Sequence, residues 1–481
     1  MTTLFLFSWF RAWLCGDNGH AMKATSRFLG VAAAACALAS VSTIRLPAAG
    51  PADAVPANPT FTRDVLPIFQ KSCQDCHRPG QMAPFSLLDY ESARPWVRSI
   101  KEKVVSRYMP PWHLDRAVGE YDPDPSLTDE QIAIIAKWVD SGAPKGDPKD
   151  APPPRTFPAA DTWQFGEEPD LIVTSPPITI PGNGPDMYPE PEAPTNMTED
   201  RYVRWIQVMP GDAQVVHHTL VFAVQDKPSN GMPMIPGVSI GGANGPSLLA
   251  LTRQENGGAR IITSMLTEYA RGNDGDIFDE GQAKLLAAGS SLRWQFHYHP
   301  NGKTDVTDRT RVGIKFWPRG WQPKHLISTI PFATPETLAI APGDPAARSD
   351  AYFPLSAPAR LLSFQPHMHY RGKRMVLEAI LPTGQVQRLT DVNRFVWTWQ
   401  ITYPYKNRPA FPKGTVLHSI AYHDNSAGNK ENPDPTAFVG WGDRTVDEMN
   451  IGWLDFYYIS DEEYGALQKQ KGAATHTAAQ Q

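Results

Sequence analysis

Short runs of alternating apolar and polar residues, separated by prolines, recur through the last two-thirds of this 481-residue chain. Proline accounts for 47 of the residues, about twice its average share, and a proline inside a helix breaks that helix. Alternation is typical of a strand with one buried face. Residues 201–208, 292–298 and 416–422 show it most clearly. We therefore expect a mainly β protein with many turns.

The length of the chain predicts two to four domains. Its formal net charge is −5, so it offers no basic surface for a nucleic acid, and we expect no nucleic-acid partner.

The N-terminus has the pattern of an export signal. A basic segment at residues 22–27 precedes an apolar stretch at 28–39, and small residues up to Ala49 suit cleavage. Residues 1–49 are therefore predicted to be a leader whose true start is Met22. The mature protein would then be periplasmic or secreted from a bacterium. A second interpretation retains Leu4 to Leu14 as a membrane anchor.

Two of the four cysteines, Cys73 and Cys76, lie beyond this leader, and His77 follows them directly. In C-x-x-C-H, two thiolates attach a c-type haem and the histidine is an axial iron ligand. A zinc site would need a second ligand pair, and a thioredoxin-like motif would need a βαβ context. We therefore predict one covalently bound c-type haem.

Two predicted helices flank this motif. The first covers residues 64–72, and the second begins at the capping box of Thr128 and Gln131 and ends at Gly142. Residues 58–147 are therefore predicted to form a small α-helical cytochrome c domain.

The sixth iron ligand is predicted to be Met109, because two prolines after it favour an extended loop. Met82, His113 and an open sixth position are the alternatives. A histidine–methionine pair raises the reduction potential and suits electron transfer. The proline-rich stretch at 148–165 that follows this domain is expected to be a semi-rigid linker.

Candidate metal ligands recur beyond the linker. Five of the 13 histidines fall into three tight clusters, although any one of them alone would more often be structural. The candidates are His217 and His218, His297, His367 and His369, and finally Met449. They suffice for two copper sites, one of three imidazoles and one of two imidazoles and a thioether. Imidazole suits copper in both oxidation states, whereas the thioether favours Cu(I), which reacts with dioxygen.

The spacing within the clusters has consequences for the strands. His367 and His369 are two residues apart, which places both rings on one face of a strand. His217 and His218 are adjacent, so they can share a metal only at a β-bulge or a strand end.

Four segments resemble, in the same order, the ligand motifs of the copper type II, ascorbate-dependent monooxygenases. This family includes peptidylglycine α-hydroxylating and dopamine β-monooxygenases. The segments are residues 216–222, 294–298, 366–373 and 447–449. The resemblance implies two jelly-roll-like β-sandwich domains, at 166–325 and 326–462, that face one another across a solvent-filled cleft. Residues 463–481 are expected to be a disordered tail.

The resemblance also implies roles for the ligands. One copper, which stores an electron, would be held by His217, His218 and His297; the other, which binds dioxygen, by His367, His369 and Met449. The implied reaction is hydroxylation of a C–H bond of a small organic substrate, with the second oxygen atom leaving as water. Electrons would pass from an external donor, a small reductant or a redox protein, through the haem to the three-histidine copper and then to the other.

The chain departs from the peptide-amidating members at two positions. Gln365 stands where they have an arginine, and Trp453 where they have a tyrosine. A peptide carboxylate is therefore not the expected ligand. The animal enzymes also depend on disulfides that this chain lacks the cysteines to form.

Residues next to the ligands have expected roles as well. His299 is interpreted as a surface or hydrogen-bonding residue and His423 as a candidate for the lining of the cleft. Asp447 and Glu448 are interpreted as hydrogen-bond acceptors rather than acid–base catalysts.

Two other functions compete with oxygenation. One is a haem- and copper-containing electron-transfer or copper-handling protein, although type 1 copper needs a thiolate and no cysteine remains for it. The other is an adhesion or carbohydrate-binding sandwich with vestigial metal motifs.

Overall fold

The architecture below is that of a computed structural model. It describes residues 55–79, 81, 83–157, 161–225, 252–253, 259–270, 273–334, 337–442 and 444–478. The predicted leader, the segment proposed as an anchor and the alternative iron ligand Met82 lie outside these residues. Among the residues described, no helix combines the length and apolar character needed to cross a membrane.

Residues 55–157, here termed the helical unit, contain the first helices. In order they are a π-helical turn (Phe61–Val65), α1 (Leu66–Ser72), α2 (Tyr90–Ala93), a 3₁₀ turn (Arg94–Trp96), α3 (Val97–Val105), α4 (Asp129–Asp140) and a second 3₁₀ turn (Pro148–Asp150). The capping box of Thr128 and Gln131 is present at the start of α4. Gly142 follows its end with φ +88°, so the predicted limits of this helix are confirmed. The first predicted helix is divided, because its opening turn is π-helical.

The proline-rich segment at 148–165 contacts the parts on either side of it instead of standing free. Arg155 Nη2 donates to Asp75 Oδ1 of the helical unit at 2.7 Å. Trp163 packs against Trp205 of the first sandwich. These contacts fix the segment more firmly than its composition predicts.

The helical unit also contributes to the core of the second sandwich. Trp112, Leu114 and Tyr121 are buried among its apolar side chains, and Tyr121 forms a β-bridge with Tyr405. The predicted boundary at residue 147 therefore does not separate two independent cores.

The first sandwich is formed by β1 (Leu171–Thr174), β2 (Ile178–Ile180), β3 (Glu192–Pro194), β4 (Arg201–Met209), β5 (Val216–Gln225), β6 (Thr252–Arg253), β7 (Ala259–Ala270), β8 (Gly275–Ile277), β9 (Gln282–Leu286), β10 (Ser291–Tyr298), β11 (Val306–Asp308), β12 (Arg311–Phe316) and β13 (His325–Leu326). One sheet has the order β1-β12-β4-β9-β13, with β8 beside β4, and the other has the order β3-β10-β5-β7-β6. Ile206 and Ile314 of one sheet pack with Trp294 and Phe296 of the other. The strands predicted at 201–208 and 292–298 are confirmed as β4 and β10.

The second sandwich is formed by β14 (Ser328–Phe332), β15 (Ala339–Ile340), β16 (Ala347–Pro354), β17 (Ala359–His367), β18 (Gly372–Ile380), β19 (Val386–Val392), β20 (Tyr403–Pro404), β21 (Ala410–Phe411), β22 (Val416–His423), β23 (Val439–Gly440) and β24 (Ile451–Tyr458). One sheet has the order β14-β24-β17-β20, with β21 beside β17, and the other has the order β16-β22-β18-β19. Phe364 and Phe456 pack here against Leu377 and Leu417. The strand predicted at 416–422 is confirmed as β22, and the chain is mainly β.

The end of the chain differs from its prediction, because α5 (Asp461–Ala478) occupies most of the expected disordered tail. Ser460 and Glu463 hydrogen-bond each other's backbone N–H groups at 3.2 Å, which caps the start of the helix. Tyr464 and Leu467 pack on a cluster of the sandwiches that includes Tyr457. Capping and this apolar contact explain why the segment is helical.

The two sandwiches pack directly on one another through an apolar cluster. Its members are Leu220, Phe222, Val224 and Met265 from the first sandwich, and Met449, Ile451 and Trp453 from the second. The resemblance implies a solvent-filled cleft between the sandwiches, but in this part of the contact apolar side chains fill the space. They pack there because removing apolar surface from water is favourable.

Candidate metal centre

A β-bulge brings the adjacent histidines of β5 together. His218 lies opposite His297 of β10, whereas Val216 lies opposite Tyr298, so His217 is an extra residue in the ladder. A bulge re-aims the side chains next to it, and His217 Nδ1 lies 3.0 Å from His218 Nδ1. The irregularity that their adjacency required is therefore confirmed.

His297 completes a group of three imidazoles. Ligand nitrogens of His217, His218 and His297 all lie within 4.8 Å of one another. The ring of His297 is centred 4.7 Å from that of His217 and 4.9 Å from that of His218. A metal bound about 2 Å from each nitrogen holds its ligand atoms at most about 4 Å apart, so the three rings need to close by less than about 1 Å around an ion. The three side chains therefore fit one metal ion.

Asp186 orients His297 from behind. His297 Nε2 hydrogen-bonds Asp186 Oδ2 at 2.7 Å, which leaves Nδ1 as the ligand atom. His299 Nδ1 hydrogen-bonds the other oxygen, also at 2.7 Å, as expected for a hydrogen-bonding histidine. Burial would raise the pKa of Asp186, but the hydrogen bonds from both histidines outweigh burial and lower it. The carboxylate is thus ionised where it supports His297.

His367 and His369 form a second group at the end of β17. The strand ends at His367, and Met368 between them is fully buried in the core of the second sandwich. The two imidazole rings are centred 5.3 Å apart at 79°. His369 Nδ1 donates to Asp447 O at 3.1 Å, so its Nε2 remains as a ligand atom. The expected convergence of the two rings is found, although the second lies just past the strand.

Hydrogen bonds hold the loop that carries Met449 beside this pair. Glu448 accepts from the backbone N–H of His369 at 2.9 Å and of Arg371 at 2.6 Å. His423 Nε2 donates to Met449 O at 3.0 Å. Glu448 therefore acts as an acceptor, as predicted, and His423 supports the loop from a fully buried position.

The side chain of Met449 is buried in the apolar cluster between the sandwiches. The β17–β24 register pairs His367 with Ile451, two residues after Met449. Together with the hydrogen bonds of its loop, this register places the Met449 backbone next to the histidine pair.

Burial keeps His218, His367 and His369 uncharged. It lowers the pKa of His367 to about 3, that of His369 to about 4 and that of His218 well below its ordinary value. Nearby histidines lower all three further. A neutral imidazole offers a lone pair to a metal, so these rings are suited to metal binding at neutral pH.

The two histidine groups adjoin one another. The rings of His218 and His367 are centred 6.2 Å apart at 82°. A cavity of about 10 Å³ lies between them, bordered also by Glu268, Gln365 and Gln400. Two sandwiches thus contribute to one continuous arrangement of imidazoles.

Several residues at this site were missed in the sequence. Tyr188 stacks on His297 at 4.8 Å, and Trp397 lies against His217 at 6.3 Å and 26°. Asp186 and Tyr188 come from an irregular proline-rich loop with no periodicity to identify them. Glu268 carried one signal, because it is the one acid in the sequence of β7.

The C-x-x-C-H segment, residues 73–77, forms a turn after α1. His77 N donates to Cys73 O at 2.9 Å, and both cysteines are half-buried. His77 Nδ1 donates to Phe85 O at 3.1 Å, which leaves Nε2 as the atom that could ligate an iron. Burial lowers the pKa of His77, so the ring is neutral as ligation requires. These residues fit a c-type haem, and the role of Met109 stays a prediction.

Comparisons with known proteins identify no family for the chain. No protein-family model matches the sequence, and a search of curated proteins finds no match. Among solved structures, the cowpea mosaic virus top component is 9% identical with a TM-score of 0.27, covering 61% of this chain and 92% of the viral one. Broad bean stain virus is 8% identical with a TM-score of 0.25, covering 62% and 96%. Likenesses this weak say nothing of function.

Proposed function

We propose that the protein is a copper-dependent monooxygenase that uses dioxygen to hydroxylate a C–H bond of a small organic substrate. One observation carries the proposal. Three imidazoles of the first sandwich converge with two of the second, and the rings of His218 and His367 are only 6.2 Å apart. A pair of unlike metal sites in contact is an arrangement suited to delivering two electrons to one substrate.

The first copper would be held by His217, His218 and His297, and the second by His367, His369 and Met449. Copper bound there would supply one electron at each site and a place for dioxygen to react. The chain itself orients the ligands. Asp186 and Asp447 O fix the ring nitrogens that face away from the metals.

The haem would connect this centre to an external one-electron donor, which is a small reductant or a redox protein. Cys73 and Cys76 would attach it, and His77 and Met109 would be its axial ligands. The protein would be exported to the periplasm or secreted, in keeping with the leader predicted at residues 1–49. No nucleic-acid partner is proposed.

Metal analysis combined with oxygen uptake tests this function. Purified protein is expected to contain two coppers and one covalent haem per chain, and to consume dioxygen in a substrate-dependent manner. A screen of small organic molecules would identify the substrate by the increase in oxygen uptake. Variants H297A and H367A should each lose one copper and all of this activity.

A second candidate, an electron-transfer or copper-handling protein, is favoured by the size of the space between the histidine groups. That cavity of about 10 Å³ has room for about one water molecule. In this case the protein would bind both coppers and cycle between oxidation states without substrate-dependent oxygen uptake. The same experiment therefore separates the two functions.

A further inference from the structure

A second cavity lies where the two sandwiches meet. Its volume is about 30 Å³, enough for about two water molecules. Its wall carries Glu268, Asp276 and Lys284 from the first sandwich and Asp455 from the second. We term it the polar cavity. It places four ionisable side chains inside the contact between the sandwiches.

Hydrogen bonds order the far side of the polar cavity. Thr267 Oγ1 donates to Asp276 Oδ2 at 2.6 Å, and Ser363 Oγ donates to Asp455 Oδ2 at 2.9 Å. Lys284 Nζ lies 3.7 Å from Asp455 Oδ1. These groups can donate and accept protons among themselves and with water.

Glu268 borders on both cavities. It lines the polar cavity and also the smaller space next to His218 and His367. Two side chains of the second sandwich hold its carboxyl group: the Thr402 hydroxyl donates to Oε1, and Gln365 also hydrogen-bonds it. Among the residues that line these spaces, Glu268 is the one carboxyl common to both.

The Glu268 carboxyl carries a proton at neutral pH. Burial raises its pKa to about 8, against the opposing effect of the Thr402 hydrogen bond, and Asp276 and Asp455 raise it as well. The charged and titratable groups around it are Asp276 on β8, Lys284 on β9, Asp455 on β24, and the histidines of the smaller space on β5 and β17. A buried acid that is protonated near pH 7 can act as a proton donor.

We propose that Glu268 passes protons from the polar cavity to the space between the two histidine groups. The inference rests on the proposed oxygenase function, whose reaction is RH + O₂ + 2 e⁻ + 2 H⁺ → ROH + H₂O. A one-electron reductant such as ascorbate supplies the electrons. The O–H bond of Glu268 breaks as its proton leaves for the water that the reaction forms. The carboxylate then takes back a proton that the solution supplies through water in the polar cavity, so no hydroxide is left behind, and the cycle runs twice for each substrate molecule.

Infrared spectroscopy of the full-length, copper-loaded protein tests the protonation of Glu268. Glu268→Gln retains the size and hydrogen-bonding capacity of the side chain but lacks the acidic proton. Burial also raises the pKa of Glu448 to about 8, so the wild type should show a protonated-carboxyl band with contributions from both residues. In E268Q this band should lose the Glu268 contribution, which the wild-type minus E268Q difference spectrum isolates and which should disappear with a midpoint near pH 8. Glu280→Gln, at an exposed acid of the same sandwich, should retain it. A difference spectrum without the Glu268 contribution at pH 7 overturns the proposal.

Ascorbate-driven oxygen consumption tests the transfer itself. E268Q should bind two coppers, accept electrons from ascorbate at the wild-type rate and melt at a similar temperature, yet consume dioxygen at least about tenfold more slowly. The wild-type rate should fall above pH 8, whereas that of the variant should not. If the wild type is active and E268Q consumes dioxygen equally fast, the proton transfer through Glu268 is wrong, whereas the proposed oxygenase function is unaffected. If the wild type binds no copper and consumes no dioxygen, both fail.

Discussion

His218 and His367 belong to different sandwiches, yet their rings pack edge to face with centres 6.2 Å apart. Any metal held by one of these residues therefore lies close to a metal held by the other. Both side chains are half-buried and each is held by its own sandwich, so their separation depends on how the two sandwiches pack.

Removing the charge of Asp186 should weaken the three-histidine site. Asp186→Asn is expected to lower its copper affinity about 10- to 100-fold, because a carboxylate behind a ligand histidine fixes the ring and raises its basicity. Competition with a chelator of known affinity measures the change. His299→Ala is the matched control, since it removes the other partner of the same carboxylate and should change the affinity little. Equal effects of the two variants would contradict the role of Asp186.

Met449→Leu should separate the ligand role of this side chain from its packing role. Leucine fills a similar volume in the apolar cluster, so the free energy of unfolding should fall by less than about 1.5 kcal/mol. Cu(I) affinity at the second site should decrease, and X-ray absorption should show the loss of a copper–sulfur contact. Copper binding at the first site should be unchanged. A wild-type spectrum without a sulfur ligand rules out the predicted role.

Trp397→Phe should slow reduction of the first copper by the haem. The Trp397 indole lies against His217. The loop that carries Trp397 is hydrogen-bonded to the segment after Met109, because Arg394 N donates to His113 O at 3.3 Å. Stopped-flow spectroscopy should show haem oxidation slowing while the content of both metals is unchanged. Unaltered kinetics would mean that electrons bypass this ring, and a Met109 variant then tests whether they come from the haem at all.

The buried Glu268 should make stability fall with rising pH. Its folded pKa of about 8 lies above the ordinary value of 4.5, so the folded state binds the proton more tightly than the unfolded chain does. The stabilisation is complete below pH 4.5 and lost as the pH rises through 8. Relative to E268Q, the free energy of unfolding should decrease over this range by about 1.4 kcal/mol for each unit between the two pKa values. Denaturant unfolding at several pH values measures it, and a constant difference between the proteins disproves it.

Leu467→Ala should destabilise the protein although it lies near the end of the chain. The side chain packs on the cluster of Ile327, Tyr457 and Ile459, and truncating a partly buried leucine costs about 1 to 3 kcal/mol. Thermal unfolding measures the loss. Gln468→Ala, next to it on the exposed side of α5, is the control and should change the melting temperature little.

Periodicity and clustering in the sequence were informative wherever the signal was local. Alternation placed β4, β10 and β22, and the adjacency of His217 and His218 required the bulge that β5 contains. Residues supplied by distant segments were not predictable in this way. Asp186 is 111 positions from His297, and nothing in its own surroundings marks it as a partner.

Contacts between whole layers were also beyond the sequence. The closeness of His218 and His367 depends on seven apolar side chains from two sandwiches fitting together, and no short motif encodes such a fit. The helix α5 was missed because its few apolar residues gave no clear helical stripe. It is helical through its cap at Ser460 and its contact with the sandwiches.

The insertion of Trp112 and Tyr121 into the second sandwich has a consequence for engineering the protein. A domain that is joined to the rest of a protein only by a flexible linker can be deleted, exchanged or expressed alone, because its removal exposes only polar surface. Deleting residues 55–147 of this protein would remove the Trp112 and Tyr121 rings from the core of the second sandwich and leave cavities there. A replacement for the helical unit must therefore include these aromatic residues as well, because residues 53–481 form one compact unit.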